Sequence, residues 1–191
     1  MYESKDPDRR ALLATVKRRD FLRIGALSTA TLLVAPAFAG TRPAHERRLS
    51  FHNTHTGENL AATYWAEGGY IDSELQDINT LLRDHRSGDI YPIDTALLDL
   101  LYVLQSTVGS HKAYQVISGY RSPATNASLR NKSTGVAKRS YHMQGKAIDI
   151  RLPGCELKQL HTAALSIKAG GVGYYPGSDF IHVDVGPRRS W

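Results

Sequence analysis

The chain has 191 residues, 41% hydrophobic and 22% charged, with one cysteine and a formal net charge of +6. These proportions belong to a folded globular protein of about one domain, and the lone cysteine excludes a disulfide-stapled miniprotein. No apolar run reaches the roughly 18 residues of a membrane span, which excludes a transmembrane transporter.

Residues 1–39 read as an export signal. Lys17-Arg18-Arg19-Asp20-Phe21-Leu22-Arg23 sets twin arginines just before an apolar pair, and a mildly apolar stretch follows from residue 24 to 35. Pro36 breaks it, and Ala37-Phe38-Ala39 offers the small-x-small pattern of a signal peptidase site. The segment resembles a twin-arginine signal, which implies export to the periplasm or cell envelope and no stable membrane span after cleavage. It holds 7 of the 24 basic and 4 of the 18 acidic residues, so residues 40–191 keep 17 against 14, a net of +3. That weak charge, without Lys/Arg interleaved with aromatics, excludes a nucleic-acid binder. Cys155 has no partner for an internal disulfide and reads as a small apolar residue of the interior.

Residues 40–48 are polar and predict a flexible leader before a domain spanning 49–191. Residues 49–51 and 60–65 alternate as a hairpin with His55-Thr56-Gly57-Glu58 at its turn. Asp72 is the expected N-cap of a helix to about residue 86, and Asp94 that of a second helix ended by Gly109. A strand over 114–118 precedes a third helix opened by Ser122-Pro123 and running to about 132. A loop over 133–141, a strand over 147–152, a helix over 156–168 closed by Gly170-Gly171, and a strand pair over 173–175 and 180–185 complete the domain. The expected fold is α+β, a small antiparallel sheet packed with about four helices, and the expected state is a monomer.

Three ligand-type residues lie at the edges of the late strands: His142, Asp149 and His182. Two imidazoles and one carboxylate suit zinc, leave a fourth position for water, and keep a net positive charge on the cation. Gly145 permits a bend that delivers His142 while Asp149 projects from the next strand. On that strand Ala147, Asp149 and Arg151 share one face and Ile148, Ile150 and Leu152 the other. On the last strand Phe180, His182 and Asp184 oppose Ile181, Val183 and Val185, so both strands offer ligands from a polar face with an apolar back.

Ser140-Tyr141-His142-Met143-Gln144-Gly145-Lys146-Ala147-Ile148-Asp149 followed by a strand histidine resembles the zinc peptidases related to D-Ala-D-Ala carboxypeptidases and the hedgehog signalling domain. The YcbK-like group of murein endopeptidases is the closer likeness. It extends through His55-Thr56-Gly57-Glu58, Ser118-Gly119-Tyr120-Arg121-Ser122, Gly135-Val136-Ala137-Lys138 and Gly170-Gly171-Val172-Gly173-Tyr174-Tyr175-Pro176, nearly the whole chain. The resemblance implies that His142, Asp149 and His182 bind one zinc, that Arg121 stabilises an oxyanion, and that the partners are peptidoglycan peptide stems. It implies cleavage of cross-links, including those between two diaminopimelate residues. A D-Ala-D-Ala carboxypeptidase and a non-catalytic zinc module that binds the wall are the alternatives.

Many relatives place an acid three residues before the last histidine ligand, which favours Asp179 as general base. Asp184, on the same strand face as His182, is the rival, either as base or as a residue that orients the imidazole. Arg121 has a competing reading as a structural ion pair. His52 and His55 read as polar turn residues, with His55 packing under the site, and His85, His111 and His161 as structural. Tyr141, Tyr174, Tyr175 and Trp191 are candidates either for a substrate groove or for the core.

Overall fold

A computed structural model of the chain describes residues 46–132 and 135–191. The export segment expected at 1–39 and most of the 40–48 leader lie outside the described residues. A strand already begins at Arg47, inside the span expected to be leader. Among the described residues no helix is long and apolar enough to cross a membrane.

The chain runs β1 (Arg47–Asn53), β2 (Asn59–Ala66), β3 (Gly69–Tyr70), α1 (Asp72–Leu81), α2 (Thr95–Thr107), β4 (Tyr114–Ser118) and α3 (Pro123–Lys132). After a 3-10 turn (Tyr141–Gln144) come β5 (Ala147–Arg151), α4 (Leu157–Ile167), β6 (Gly171–Tyr175), β7 (Phe180–Asp184) and β8 (Arg189–Ser190). The α+β class and the four helices match expectation, but the sheet is neither small nor purely antiparallel. Its eight strands lie in the order β3-β2-β1-β4-β5-β7-β6-β8, with β1 and β4 parallel and β6 and β8 parallel. Local alternation identifies strands but carries no information on their distant partners, and β3 and β8 are two residues each.

Apolar faces of α1 and α2 cover the β1–β4 part of the sheet. Ile78, Leu97, Leu98, Leu101 and Leu104 are fully buried with Phe51, Tyr64 and Tyr114. The Tyr114 hydroxyl donates to the Leu101 carbonyl at 2.9 Å, so burial leaves that polar atom paired. Asp94 caps α2 by accepting from Ala96 N, as its side-chain type predicts. Helix α1 differs from expectation at both ends. Ile71 is its N-cap without a side-chain bond, while Asp72 and Glu74 sit in the first turn, where negative charge meets the helix dipole. It stops at Leu81 rather than near residue 86, because the Leu82 carbonyl accepts from Tyr120 N at 2.8 Å. At the end of α4, Lys168 takes the left-handed conformation (φ 57°) expected of the following glycines.

The segment between α1 and α2 reaches the loop after β4 and the turn at Gly145. Asp84, 1% exposed, accepts from Arg86 N at 3.0 Å and from Ser122 N at 2.9 Å, tying that segment to the start of α3. Burial alone would raise the Asp84 pKa, but hydrogen bonds from Thr125, Ser122 and Arg86 outweigh it and hold the carboxyl below the usual range. A depressed folded-state pKa stabilises the fold above the unfolded value of about 3.9, and the contribution fades as pH falls below it. Asp84→Asn should therefore cost about 1–3 kcal/mol at pH 7. Chemical denaturation at pH 7 and pH 3 should show the gap between variant and wild type narrowing in acid; an equal gap would mean that the charge is not what stabilises.

Candidate metal centre

Strands β5 and β7 are antiparallel neighbours in which Asp149 stands directly opposite His182. Ile148, Ile150, Ile181 and Val183 enter the core, and this alternation turns Asp149 and His182 to the other face, as the two-residue period requires. His142 arrives from the 3-10 turn. Ser140 Oγ accepts from His142 N at its start, and Gly145 closes it with φ 64°. Gly145 has no room for a side chain: a Cβ would strike the Pro92 carbonyl oxygen.

Three atoms converge. His182 Nδ1 lies 2.8 Å from Asp149 Oδ1, His142 Nε2 lies 3.3 Å from the same oxygen, and the two nitrogens are 3.2 Å apart. The opposite ring nitrogens are committed as donors. His142 Nδ1–H donates to the Gly119 carbonyl at 2.7 Å, and His182 Nε2–H donates to Asp184 Oδ2 at 3.0 Å. Those bonds fix the tautomers and aim both lone pairs at the Asp149 oxygen. Three acceptors so close together repel unless positive charge lies between them, and a proton or a metal cation can supply it.

Burial disfavours the ionised Asp149, yet the charge and hydrogen bonds of His142 and His182 outweigh it and hold this carboxyl below its ordinary range. Burial also works against a charged His182, but hydrogen bonds and charge from Asp149 and Asp184 raise its pKa. The donor set, two neutral imidazoles and one carboxylate with oriented outer partners, fits a divalent transition metal. Among the described residues it is the one group of three such side chains close enough to hold an ion.

The other expected residues take distinct places. Arg121 N donates to the His142 carbonyl at 3.2 Å, so the 119–121 loop grips the His142 turn at two points. Its guanidinium enters the site: Nη2 lies 3.6 Å from Asp149 Oδ2 and 3.3 Å from Ser118 Oγ, and Nη1 lies 3.5 Å from Asn126 Oδ1. These contacts are long, and the buried Nε has no partner at all. Desolvation lowers the Arg121 pKa against the attraction of Asp149.

Asp184 is completely enclosed. It binds His182 and accepts from Gly171 N at 3.0 Å and Gly186 N at 2.8 Å. Arg189 meets both its oxygens, at 2.5 and 3.2 Å. Burial would raise its pKa, but these hydrogen bonds keep it low. Asp179, by contrast, is left-handed (φ 53°), largely exposed, and ion-paired to Arg151 at 3.0 Å.

A cavity of about 530 Å³ opens over His142, Asp149 and His182, and neither Asp179 nor Asp184 lines it. Tyr141, Tyr175 and Trp191 do, whereas Tyr174 packs against the core beside His161. The Trp191 ring lies 5.3 Å from His182, and its Nε1 donates to the Tyr175 hydroxyl at 2.7 Å. Gly173 makes this possible, since a Cβ there would come within 2.8 Å of the indole. His55 stacks on His85 with 3.9 Å between ring centres and bonds the Ile117 carbonyl. Burial, with the positive charge of Arg86, lowers the His85 pKa to about 4.

Arg189, Arg139 and Phe180 also line the cavity without having been singled out from the sequence. Arg189 stands five residues beyond Asp184, on β8, which pairs in parallel with β6.

The family described as Peptidoglycan L,D-endopeptidase MepK matches residues 41–191. The chain is 47% identical over 175 residues to the Peptidoglycan L,D-endopeptidase MepK of Escherichia coli (strain K12), covering 91% of this chain and 96% of that protein. The protein of that name from Shigella flexneri shows the same identity and coverage. The Probable peptidoglycan L,D-endopeptidase MepK of Haemophilus influenzae (strain ATCC 51907 / DSM 11121 / KW20 / Rd) is 40% identical over 176 residues, 91% of this chain and 95% of that one. The chain belongs to this family.

Asp184→Asn removes the charge that orients His182 and leaves Arg189 unneutralised. Metal affinity should fall about tenfold to a hundredfold, as read by competition against a chromogenic chelator. An unchanged affinity would show that His182 needs no such partner.

Proposed function

We propose that this member of the family is an exported, zinc-dependent L,D-endopeptidase that hydrolyses peptide cross-links of peptidoglycan in the periplasm. The observation that carries the reading is the convergence of His142 Nε2, Asp149 Oδ1 and His182 Nδ1 at one side of a cavity that also receives Arg121. The names of the relatives supply the substrate class and the L,D designation. The twin-arginine pattern of residues 17–23 supports export.

His142, Asp149 and His182 would hold the zinc, which when bound supplies a Lewis acid and lowers the pKa of water at its open position. The protein's own part is positional and electrostatic. Gly119 and Asp184 keep the two imidazoles in the tautomers that donate lone pairs. Arg121 stands over Asp149 with long contacts and a free Nε, so its charge is available to an oxygen that becomes negative as the amide carbon is attacked. Such a donor is worth most when it is fixed in advance in a site poor in water, and its side chain is only 11% exposed.

Asp184 is assigned to orienting His182, because every approach to its oxygens is occupied by a donor. The proton-accepting role falls to Asp179, by its spacing of three residues before His182 and its access to solvent. To serve, its carboxylate must leave Arg151 and turn toward the cavity beside Phe180.

Cross-linked muropeptides incubated with the purified protein, and read by mass spectrometry, test the proposal. Dimers should become monomers with zinc present, and conversion should stop with chelator or in His142→Ala. Arg121→Met should keep its zinc and lose about 10²–10³ in kcat. Removal of terminal D-Ala alone would make the enzyme a carboxypeptidase. Intact dimers despite bound zinc would leave a wall-binding module.

A further inference from the structure

The cavity above the ligands is unbalanced in charge. Three guanidiniums line it, those of Arg121, Arg139 and Arg189, and Asp149 is the one carboxylate among its lining residues. Two of the arginines are engaged. Arg121 reaches Asp149, Ser118 and Asn126. Arg189 is spent on Asp184, with the rings of Tyr141 and Trp191 at 5.2 and 5.0 Å from its guanidinium carbon. Arg139 is exposed and has no ion pair or hydrogen bond among the described residues.

We propose that Arg139 is a specificity-determining residue that pairs with a free carboxylate of the stem peptide beside the amide to be cut. The inference rests on the peptidase reading and adds to it the chemical feature of the substrate that is recognised. Its register comes from the chain. Arg139 directly precedes Ser140, whose hydroxyl accepts from His142 N, so residues 139–142 meet the ligand centre as one piece. Three residues of chain span at most about 10 Å, and Arg139 lines the same cavity as His142, Asp149 and His182, so a carboxylate held there belongs to a peptide lying across the cluster.

Charge gives the direction of the preference. A third guanidinium in a cavity that already holds Arg121 and draws a cation to its floor makes the empty site less favourable and an anion-filled site more so. An amide in place of the carboxylate offers the same shape without that gain. The planar fork of arginine matches a carboxylate with two parallel hydrogen bonds, whereas lysine would keep only the charge. Tyr175, Phe180 and Trp191 on the walls give the uncharged body of the peptide a surface to lie on.

The test is a cycle of two proteins and two substrates. Full-length wild type and Arg139→Gln are each given cross-linked dimers that differ only in whether the carboxylate next to the scissile bond is free or amidated. Wild type should favour the free acid about tenfold to a hundredfold in kcat/KM. Arg139→Gln should lose that factor on the free acid, chiefly through KM, and match wild type on the amide; Arg139→Lys should recover part of it. Equal losses on both substrates, or no preference in wild type, would overturn the assignment. Equilibrium binding of the same dimers separates this inference from the reading beneath it. Retained discrimination in binding with no cleavage by wild type would sink the peptidase reading and sustain the anchor. Cleavage without discrimination in binding or turnover would do the reverse.

Discussion

The site depends on one cross-strand pairing, Asp149 of β5 directly opposite Asp149's partner His182 of β7. Because side chains alternate, a slip of one residue in that register would exchange Asp149 with a core isoleucine and disperse the cluster. The apolar backs of the two strands enforce the register, since Ile148, Ile150, Ile181 and Val183 are fully buried only in this alignment. Core packing and the His–Asp–His convergence are therefore two consequences of a single alternation. His142, which comes from outside the sheet, must be brought to the pair, and the backbone of residues 119–121 does this by bonding its ring and its carbonyl.

Around this pairing the molecule separates tasks between its charged groups. Asp184 has lost all solvent and gained five donor contacts, which leaves its carboxylate no free approach. Arg121 is the opposite case, nearly buried yet only loosely engaged. A guanidinium left partly unsatisfied in a desolvated position is costly to the resting protein and responsive to new negative charge. Arg189 and Trp191, both from the last three residues, complete the site by crossing over β6, where Gly171 and Gly173 leave space for them.

Much of this was legible before the fold was known. The spacing of His142 and Asp149 about Gly145, the opposed faces of β5 and β7, and Asp94 at the start of α2 are local features, and local physics determines them. The parallel pairing of β1 with β4 is not local, since α1 and α2 intervene and no residue pattern in either strand names its partner. The same limit hid Arg189, which a two-residue strand carries to Asp184. The spacing that made Asp179 a candidate says nothing of side-chain direction, and this acid faces Arg151. Asp72 failed as a cap because the chain enters α1 through Ile71, whose amide bonds the Tyr64 carbonyl of β2.

The contact between the α1–α2 connection and the two glycines of the site has a consequence for portability. The Leu82 carbonyl lies against Gly119, and the Pro92 carbonyl against Gly145, with Asp94 N bonding the Gly145 carbonyl at 3.0 Å. The backbone of the 82–94 segment thus serves as a mould for the two loops that present His142. A mould made of carbonyl oxygens constrains shape while leaving side chains free to vary. The smallest piece of this protein that could be grafted onto another scaffold with its centre intact is therefore not β5 and β7 alone. It must include a stretch 48 to 60 residues upstream of His142 that contributes no side chain to the cluster.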